Sequence, residues 1–237
     1  MVTIKHRERK FSMLLAIDTA TRYMSLALHD GQTLIGEQTW RTANRHNALL
    51  APSLAQMLDI CDVKMDDLSV IAVTHGPGSY TGLRIGVSFA KGIAAVKQLP
   101  LIGISTLDMI AVGQPVQSTR YKLLVVIQAG RGRIIAAQYR VKKGRWSADN
   151  EAEITAWEDL LEGLDGSYYV SGEIDQKGRV AIEAARENEA SLTIVDAAYR
   201  LRRGGFLAQE AWRRYENGSP EDFLPTKLVP IYMSSPG

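Results

Sequence analysis

Between Met13 and Trp40 the chain carries short apolar blocks separated by turn residues: MLLAID from Met13, MSLALHD from Met24 and QTLIGEQTW from Gln32. Blocks of this kind read as three successive strands, and Asp30-Gly31 is a strong hairpin signal between the second and third. The period then changes. Within NALLAPSLAQMLDI, Asn47 to Ile60, the residues Leu50, Leu54, Met57 and Leu58 share one helical face. Proline lacks the amide that a helix interior needs, so Pro52 places the start of the regular helix near Ala51. The run SVIAV, Ser69 to Val73, is β-branched and apolar, as a buried strand should be. It leads into THGPGSYTGLRIGVSFAKG, Thr74 to Gly92, which reads as strand, tight glycine loop and helix. That helix is expected over Gly82 to Lys97, with a further strand at Leu101 to Gly103.

About a hundred residues after the first strand the opening pattern returns. YKLLVVIQAG (Tyr121 to Gly130) is followed by RIIAAQYR, a Lys143-Gly144 turn and RWSADNEAEI. A helix from about Ala156 to Leu161, the strand SYYVSG, a helix near Gln176 to Glu187, the apolar stretch SLTIV and a last helix from Ala197 to Tyr215 complete the pattern. Two loosely mirrored βββαβα units predict an α/β fold with two lobes and mixed sheets. This resembles a duplicated ribonuclease H-like fold, the plan of the actin, sugar kinase and Hsp70 superfamily, and by itself it does not assign a function. The expected lobes are 13–112 and 113–237, with the last helix a candidate for packing back on the first lobe. Residues 1–12 form a basic tail expected to be flexible.

Composition narrows the function classes. The chain has 237 residues, 46% of them apolar, so a sizeable core can form. A formal net charge of +2 does not indicate an extended nucleic-acid footprint, so any RNA contact is expected to be local. The single cysteine, Cys61, excludes an internal disulfide and a cysteine-based zinc cluster. It fits a reducing compartment, so a cytoplasmic protein is expected. The tail MVTIKHRERKFS has no apolar centre and resembles neither a signal peptide nor an anchor. No apolar run approaches the ~20 residues of a membrane helix.

The candidate chemistry gathers around the glycine loop. Gly76, Gly78 and Gly82 permit backbone angles closed to other residues, while Ser79 and Thr81 supply hydroxyls and an N-cap. Free amides at a helix start attract anions, so phosphate contact and a merely close-packed turn stand level. The spacing is neither that of a P-loop nor GxGxxG. Asp18 ends the first strand and is followed by Thr19 and Thr21; ligand contact and an Asx turn are equally weighted for it. In the second half the matching position is Gln128, which cannot replace a carboxylate for a hard cation. No HxxxH or HExxH pair occurs, and a triad of Ser79, His75 and Asp18 lacks the GxSxG elbow.

Two helices carry small residues at helical spacing. Gly82, Gly86, Ala90 and Ala94 recur every four residues beside Ile85, Phe89 and Ile93, and the earlier helix offers Ala48, Ala51 and Ala55. Such a stripe admits another backbone, either of a partner helix or of the chain itself. Between Tyr199 and Arg214 there are five arginines and one glutamate, the composition of a solvated helix face; with Tyr199, Phe206 and Trp212 nearby, a weak RNA contact is the alternative.

The segments LLAIDTATRYMSLAL, RHNALLAPSL, HGPGSYTGLRIGVSFAKGIA, LPLIGISTLDMIA and LVPIYM together resemble the TsaB family, also called YeaZ. The resemblance implies a noncatalytic subunit of the complex that installs threonylcarbamoyl on adenosine of transfer RNA. In that role it scaffolds or activates the catalytic subunit TsaD, with TsaE and a carbamoyl-adenylate synthase in the same pathway. Transfer RNA is then met through the complex, and the chain itself needs no metal or cofactor. An adenine nucleotide at the contact with the partners stays open. The resemblance places the partner surface on Arg45, His46, Leu50 and Leu54 of the first helix and on Arg84, Gly86, Ala90 and Ala94 of the second. The same surface would pair two copies when the chain is alone. Asp18, Thr19, Gly76, Gly78, Ser79, Thr81 and Gly82 become vestigial nucleotide contacts. Bulk introduced at Gly86 or Ala90 is then expected to abolish pairing while leaving the monomer folded.

The chain departs from the family at Gln128-Ala129-Gly130, where Asp-Ala-Arg is usual. It departs from TsaD at ISTLDMI, Ile104 to Ile110, where TsaD carries paired histidines. The alternative functions are an ATP-dependent kinase or phosphotransferase of the same superfamily, using Asp18 and the loop amides on ATP and magnesium, and behind it a protease.

Overall fold

The strand MLLAID shows no polar alternation because both faces of its sheet are covered. In the computed structural model, which describes residues 13–42, 45–185 and 191–233, every residue of β1 (Met13–Asp18) is buried. It pairs antiparallel with β2 (Tyr23–His29), which pairs with β3 (Leu34–Arg41). On its other side it pairs parallel with β4 (Leu68–Gly76), which pairs with β5 (Leu101–Ser105). The sheet order is β3-β2-β1-β4-β5. Helices α1 (His46–Ile60) and α2 (Tyr80–Lys97) lie on one face and α3 (Thr106–Val112) follows β5.

The second half repeats the plan. Its strands are β6 (Lys122–Gly130), β7 (Arg133–Lys142), β8 (Arg145–Ala148), β9 (Glu153–Thr155), β10 (Ser167–Gly172) and β11 (Ser191–Ile194). Its helices are α4 (Trp157–Glu162), α5 (Gln176–Ala185), α6 (Ala197–Arg200) and α7 (Gly204–Asn217). The sheet order is β11-β10-β6-β7-β8, with β9 also pairing β7. With β9 set aside and the strands renumbered from β6, this is the order of the first sheet. The two-lobed, duplicated α/β fold with mixed sheets that the repeated pattern predicts is therefore the fold of this chain.

Alternate residues of β1 serve different cores. Leu15 and Ile17 pack with Leu50, Leu54, Val87 and Ala90 under α1 and α2. Leu14 and Ala16 pack with Leu207, Ala208 and Ala211 of α7. Likewise α3 sends Leu107, Ile110 and Ala111 against Leu123, Val125 and Ile127 of β6. Each half thus covers one face of the other's sheet. The last helix lies on the first sheet, and the lobes are interlocked by burial of apolar surface.

Three of the expected elements take another form, and helix α3 is an addition to them. Helix α1 starts at His46, with Pro52 inside it. The first turn is held by His46, whose buried ring meets the Thr42 hydroxyl (3.1 Å) and the Tyr23 carbonyl (3.3 Å), while Pro52 faces solvent, where the carbonyl it leaves unpaired can meet water. The segment RWSADNEAEI forms two strands, because Asp149 and Asn150 leave the ladder: the Asp149 amide donates to the Gln138 carbonyl (2.8 Å) and Asn150 Oδ1 accepts the Gln138 amide (2.7 Å). The expected helix from Ala197 to Tyr215 is broken at Leu201–Arg203, where the backbone is extended. Gly204 explains the break: a Cβ there would lie 2.8 Å from Ser25 Oγ and 2.9 Å from the Leu26 carbonyl carbon, so the chain enters α7 in direct contact with β2. The basic tail 1–12 and the expected end of α5 at Glu187 lie outside the described residues. Among the described residues no helix is long and apolar enough to cross a membrane.

Candidate functional site

The ends of β1, β4, β6 and β10 converge where the lobes meet, and the extended segment 201–203 crosses there. Asp18, the last residue of β1, is completely buried. Its Oδ1 accepts from Thr74 Oγ1 (2.6 Å) and from the Ala20 amide (2.9 Å), the second an Asx turn. Its Oδ2 accepts from Arg202 Nε at 2.8 Å. The Asx turn expected of Asp18 is present, and its other oxygen is taken by a guanidinium of the same chain.

Arg202 Nη1 reaches onward to Glu173 Oε1 at 3.0 Å. Glu173 follows β10, accepts a hydrogen bond from the Thr21 hydroxyl, and accepts the Gln128 amide on Oε2 (3.1 Å). The Gln128 side chain donates to the Glu173 carbonyl (2.9 Å). The second half thus does contribute a carboxylate, from its fourth strand position and not from the end of β6. Burial works against the Arg202 cation, but Asp18 and Glu173 outweigh it and hold its pKa above the ordinary guanidinium value. The result is a buried Asp18–Arg202–Glu173 bridge that ties the start of one lobe to the middle of the other.

The glycine loop turns inward. The Ser79 amide donates to the Ala20 carbonyl (2.7 Å), and Ser79 Oγ caps α2 by accepting from the Gly82 amide (3.3 Å). Thr19 Oγ1 donates to the Gly82 carbonyl (2.7 Å). A Cβ at Gly78 would meet the Ala20 carbonyl oxygen at 2.3 Å, and one at Gly82 the Thr19 carbonyl oxygen at 2.2 Å. The glycines therefore let α2 lie on the β1–β2 turn, and Thr81 points to solvent. Gly76 (φ +126°) does the same service for the C-terminal segment: a Cβ would lie 2.4 Å from the Ile231 carbonyl oxygen. The Ile231 amide donates to the His75 carbonyl (2.7 Å), His75 Nδ1 donates to the Val229 carbonyl (3.1 Å), and Tyr232 packs on Tyr80. LVPIYM and the HGPGSY loop, distant in sequence, form one layer.

Burial pushes the His75 pKa below its ordinary value of 6.5, opposed by the Val229 carbonyl. The folded state then prefers neutral imidazole, so as pH falls through about 6.5 the unfolded chain takes up the proton first and stability declines. The variant His75→Gln is expected to lose less stability than the parent between about pH 7 and pH 5, as read from urea midpoints. Parallel pH profiles would remove His75 from the account.

The other sequence candidates separate. Ser79, His75 and Asp18 each have different partners and form no triad. On the proposed partner surface, Arg45 and Arg84 are exposed, whereas His46, Leu50, Leu54, Gly86, Ala90 and Ala94 are buried within the chain. The stripe runs inward for a packing reason: Gly86 admits Thr19, whose Oγ1 would be 2.2 Å from an added Cβ, and Ala90 and Ala94 sit in the core under the sheet. Small residues do remain on the outside, one register on: Ser88, Gly92 and Ala95 of α2 and Ala48, Ala51 and Ala55 of α1 are exposed, with Ile85, Phe89 and Ile93 half-buried beside them. Nothing lies within 4 Å of a Cβ placed at Gly92.

The arginine-rich stretch is also not a free basic face. Arg203 forms a two-pronged pair with Glu37 (3.0 and 2.9 Å), Arg213 and Arg214 share Glu210, and Arg214 also meets Asp108 (2.9 Å). Sequence reasoning passed over Arg202 and Glu173. The available signals were the Gly204-Gly205 pair, which interrupts a helix, and the Gly172-Glu173 step that ends a strand as Gly76 does.

The family model described as "TsaD: tRNA N6-adenosine threonylcarbamoyltransferase" matches residues 40–191. The chain is 31% identical over 163 residues to the tRNA threonylcarbamoyladenosine biosynthesis protein TsaB of Escherichia coli, covering 67% of this chain and 70% of that one. It is 31% identical over 157 residues to the TsaB of Bacillus subtilis, covering 64% and 67%. Among solved structures, YeaZ from Pseudomonas aeruginosa superposes with a TM-score of 0.73 at 23% identity, over 94% of this chain and all of that one, which speaks for the shared fold.

Proposed function

The chain belongs to the TsaB family of tRNA threonylcarbamoyladenosine biosynthesis proteins, and from this we propose that it is the noncatalytic partner subunit that scaffolds or activates TsaD. The observation that carries the noncatalytic part is the Asp18–Arg202 pair. A kinase of this fold would need Asp18 for magnesium or phosphate, and here both carboxylate oxygens are already hydrogen-bonded inside the chain. On this reading the chain needs no metal or cofactor of its own. An adenine nucleotide in the assembly would lie at a contact between subunits and not on Asp18, and transfer RNA and TsaE would be engaged through the complex. The compartment would be the cytoplasm, in keeping with one unpaired cysteine.

The partner surface that fits this role is the outer face of α1 and α2, with Ala48, Ala51, Ala55, Ser88 and Gly92 allowing close helix approach and half-buried Phe89 offering an apolar centre. Because the TsaD family model matches a region that includes both helices, TsaD is expected to present an equivalent pair. A four-helix contact follows, and two copies of this chain could form its weaker counterpart. Arginine at Ala55 or Ser88 is expected to weaken binding to TsaD by at least about tenfold, since charge at the centre of an apolar contact costs more than about 1.4 kcal/mol. Both sites are exposed, so the thermal midpoint should hold. Purified TsaD titrated with each variant, and a modification assay with each subunit omitted in turn, supply the test. Unchanged binding in both variants, or ATP turnover by the chain alone that is lost in Asp18→Ala, would reject the proposal.

A further inference from the structure

Next to the sealed bridge the lobes leave a cavity of about 340 Å³. Four of its lining side chains are arginines: Arg22 before β2, Arg41 at the end of β3, Arg200 at the end of α6, and Arg202. Two carboxylates also line it, and both are engaged. Glu173 is committed to Arg202, Thr21 and the Gln128 amide, and Asp175 Oδ1 accepts the Gly178 amide (2.8 Å) at the start of α5. Arg22, Arg41 and Arg200 have no ion pair among the described residues.

Two guanidinium nitrogens at this place are buried without an acceptor, Arg200 Nε and Arg202 Nη2. Arg202 as a residue is only 3% exposed. A buried, unpaired donor on a charged group is costly, and in native structures such a donor calls for an ordered water or an ion as its acceptor. Two of them on arginines two residues apart, with two more arginines around the same space, call for an acceptor that is anionic and has several oxygens. A tetrahedral oxyanion meets donors arriving from different directions, which a planar carboxylate does not. Burial and the neighbouring Arg179 both disfavour the charge on Arg200, a cost that a bound anion would relieve.

We propose that this arginine-lined cavity binds a phosphate-class oxyanion, either inorganic phosphate or the phosphate of a small monoester. The site is separate from the glycine loop and from the α1–α2 face, so it stands or falls independently of the partner role.

The full chain would be titrated with sodium phosphate and, separately, with glycerol 3-phosphate, following amide NMR shifts against sodium chloride of matched ionic strength. Saturable binding tighter than about 1 mM is expected for at least one of the two. Saturation by both identifies inorganic phosphate as sufficient; saturation by glycerol 3-phosphate alone identifies a monoester. Arg200→Gln and Arg22→Gln should each weaken binding by about tenfold, whereas Arg203→Gln, paired with Glu37 outside the cavity, should not. Arg22 is exposed, so its variant decides the matter even if Arg200→Gln does not fold. Shifts no larger than those in chloride for both anions, or full affinity in the Arg22 variant, would overturn the proposal.

Discussion

Replacing Arg202 by methionine is expected to lower the unfolding free energy by roughly 3–5 kcal/mol, the range for removing one member of a buried charge network. The methionine roughly fills the space, but it leaves Asp18 and Glu173 without their cation at a place where neither can be reached by bulk water to the same degree as at the surface. Asp18 keeps two hydrogen bonds, from Thr74 and Ala20, so part of its stabilisation survives. The same bridge joins residues 184 positions apart, and its loss should also loosen the two lobes. Urea denaturation gives the stability, and amide exchange at the ends of β1 and β10 gives the loosening. A second variant separates charge from shape: adding Asp18→Asn and Glu173→Gln to Arg202→Met should recover much of the loss, because no unpaired charge is left. If Arg202→Met alone stays within about 1 kcal/mol of the parent, the bridge is not the closure described above.

The second large effect is expected at Gly82. A valine there brings its Cβ to 2.2 Å from the Thr19 carbonyl oxygen, which is backbone and cannot swing aside as a long side chain would. Relief needs α2 to lift off the β1–β2 turn, breaking the Thr19 hydroxyl bond to the Gly82 carbonyl and the Ser79 amide bond to Ala20. Overpacking of this type costs about 3 kcal/mol or more. Gly86→Leu should act in the same way through Thr19 Oγ1, so bulk at Gly86 unfolds the monomer before it can be said to block a partner. This replaces the expectation of a folded but unpaired variant. Gly92→Ala is the contrast: the site is open and helical, and alanine should stabilise it by about 0.5–1 kcal/mol. Equal melting temperatures for Gly82→Val and Gly92→Ala would sink the packing account.

Much of the fold was legible because its signals are local. The turn at Asp30-Gly31, the β-branched run before the glycine loop and the four-residue spacing of α2 each depend on neighbours within a few positions, and each marks the element it was read to mark. The duplication was legible for the same reason, since two similar local patterns fold into two sheets of one order. Helix direction was not. The stripe Gly86, Ala90, Ala94 is equally consistent with an inner or an outer face, and only the place of Thr19 and the sheet beneath decides that it is the inner one. Arg202 is the clearest case of the remainder. In sequence it is one arginine of five on an apparent helix, and nothing nearby distinguishes it from Arg203, which pairs with Glu37 at the surface.

By itself, then, the amino-acid sequence determined most of the strands and helices, that the plan occurs twice, and to which family the chain belongs, because periodicity and motif spacing are properties of neighbouring residues. The tertiary structure alone decided that Asp18 holds an arginine of its own chain, that the loop glycines serve internal packing, and that a separate set of small residues faces outward. Those outcomes depend on contacts between residues far apart in the chain, whose energies arise only once both lobes have closed around them.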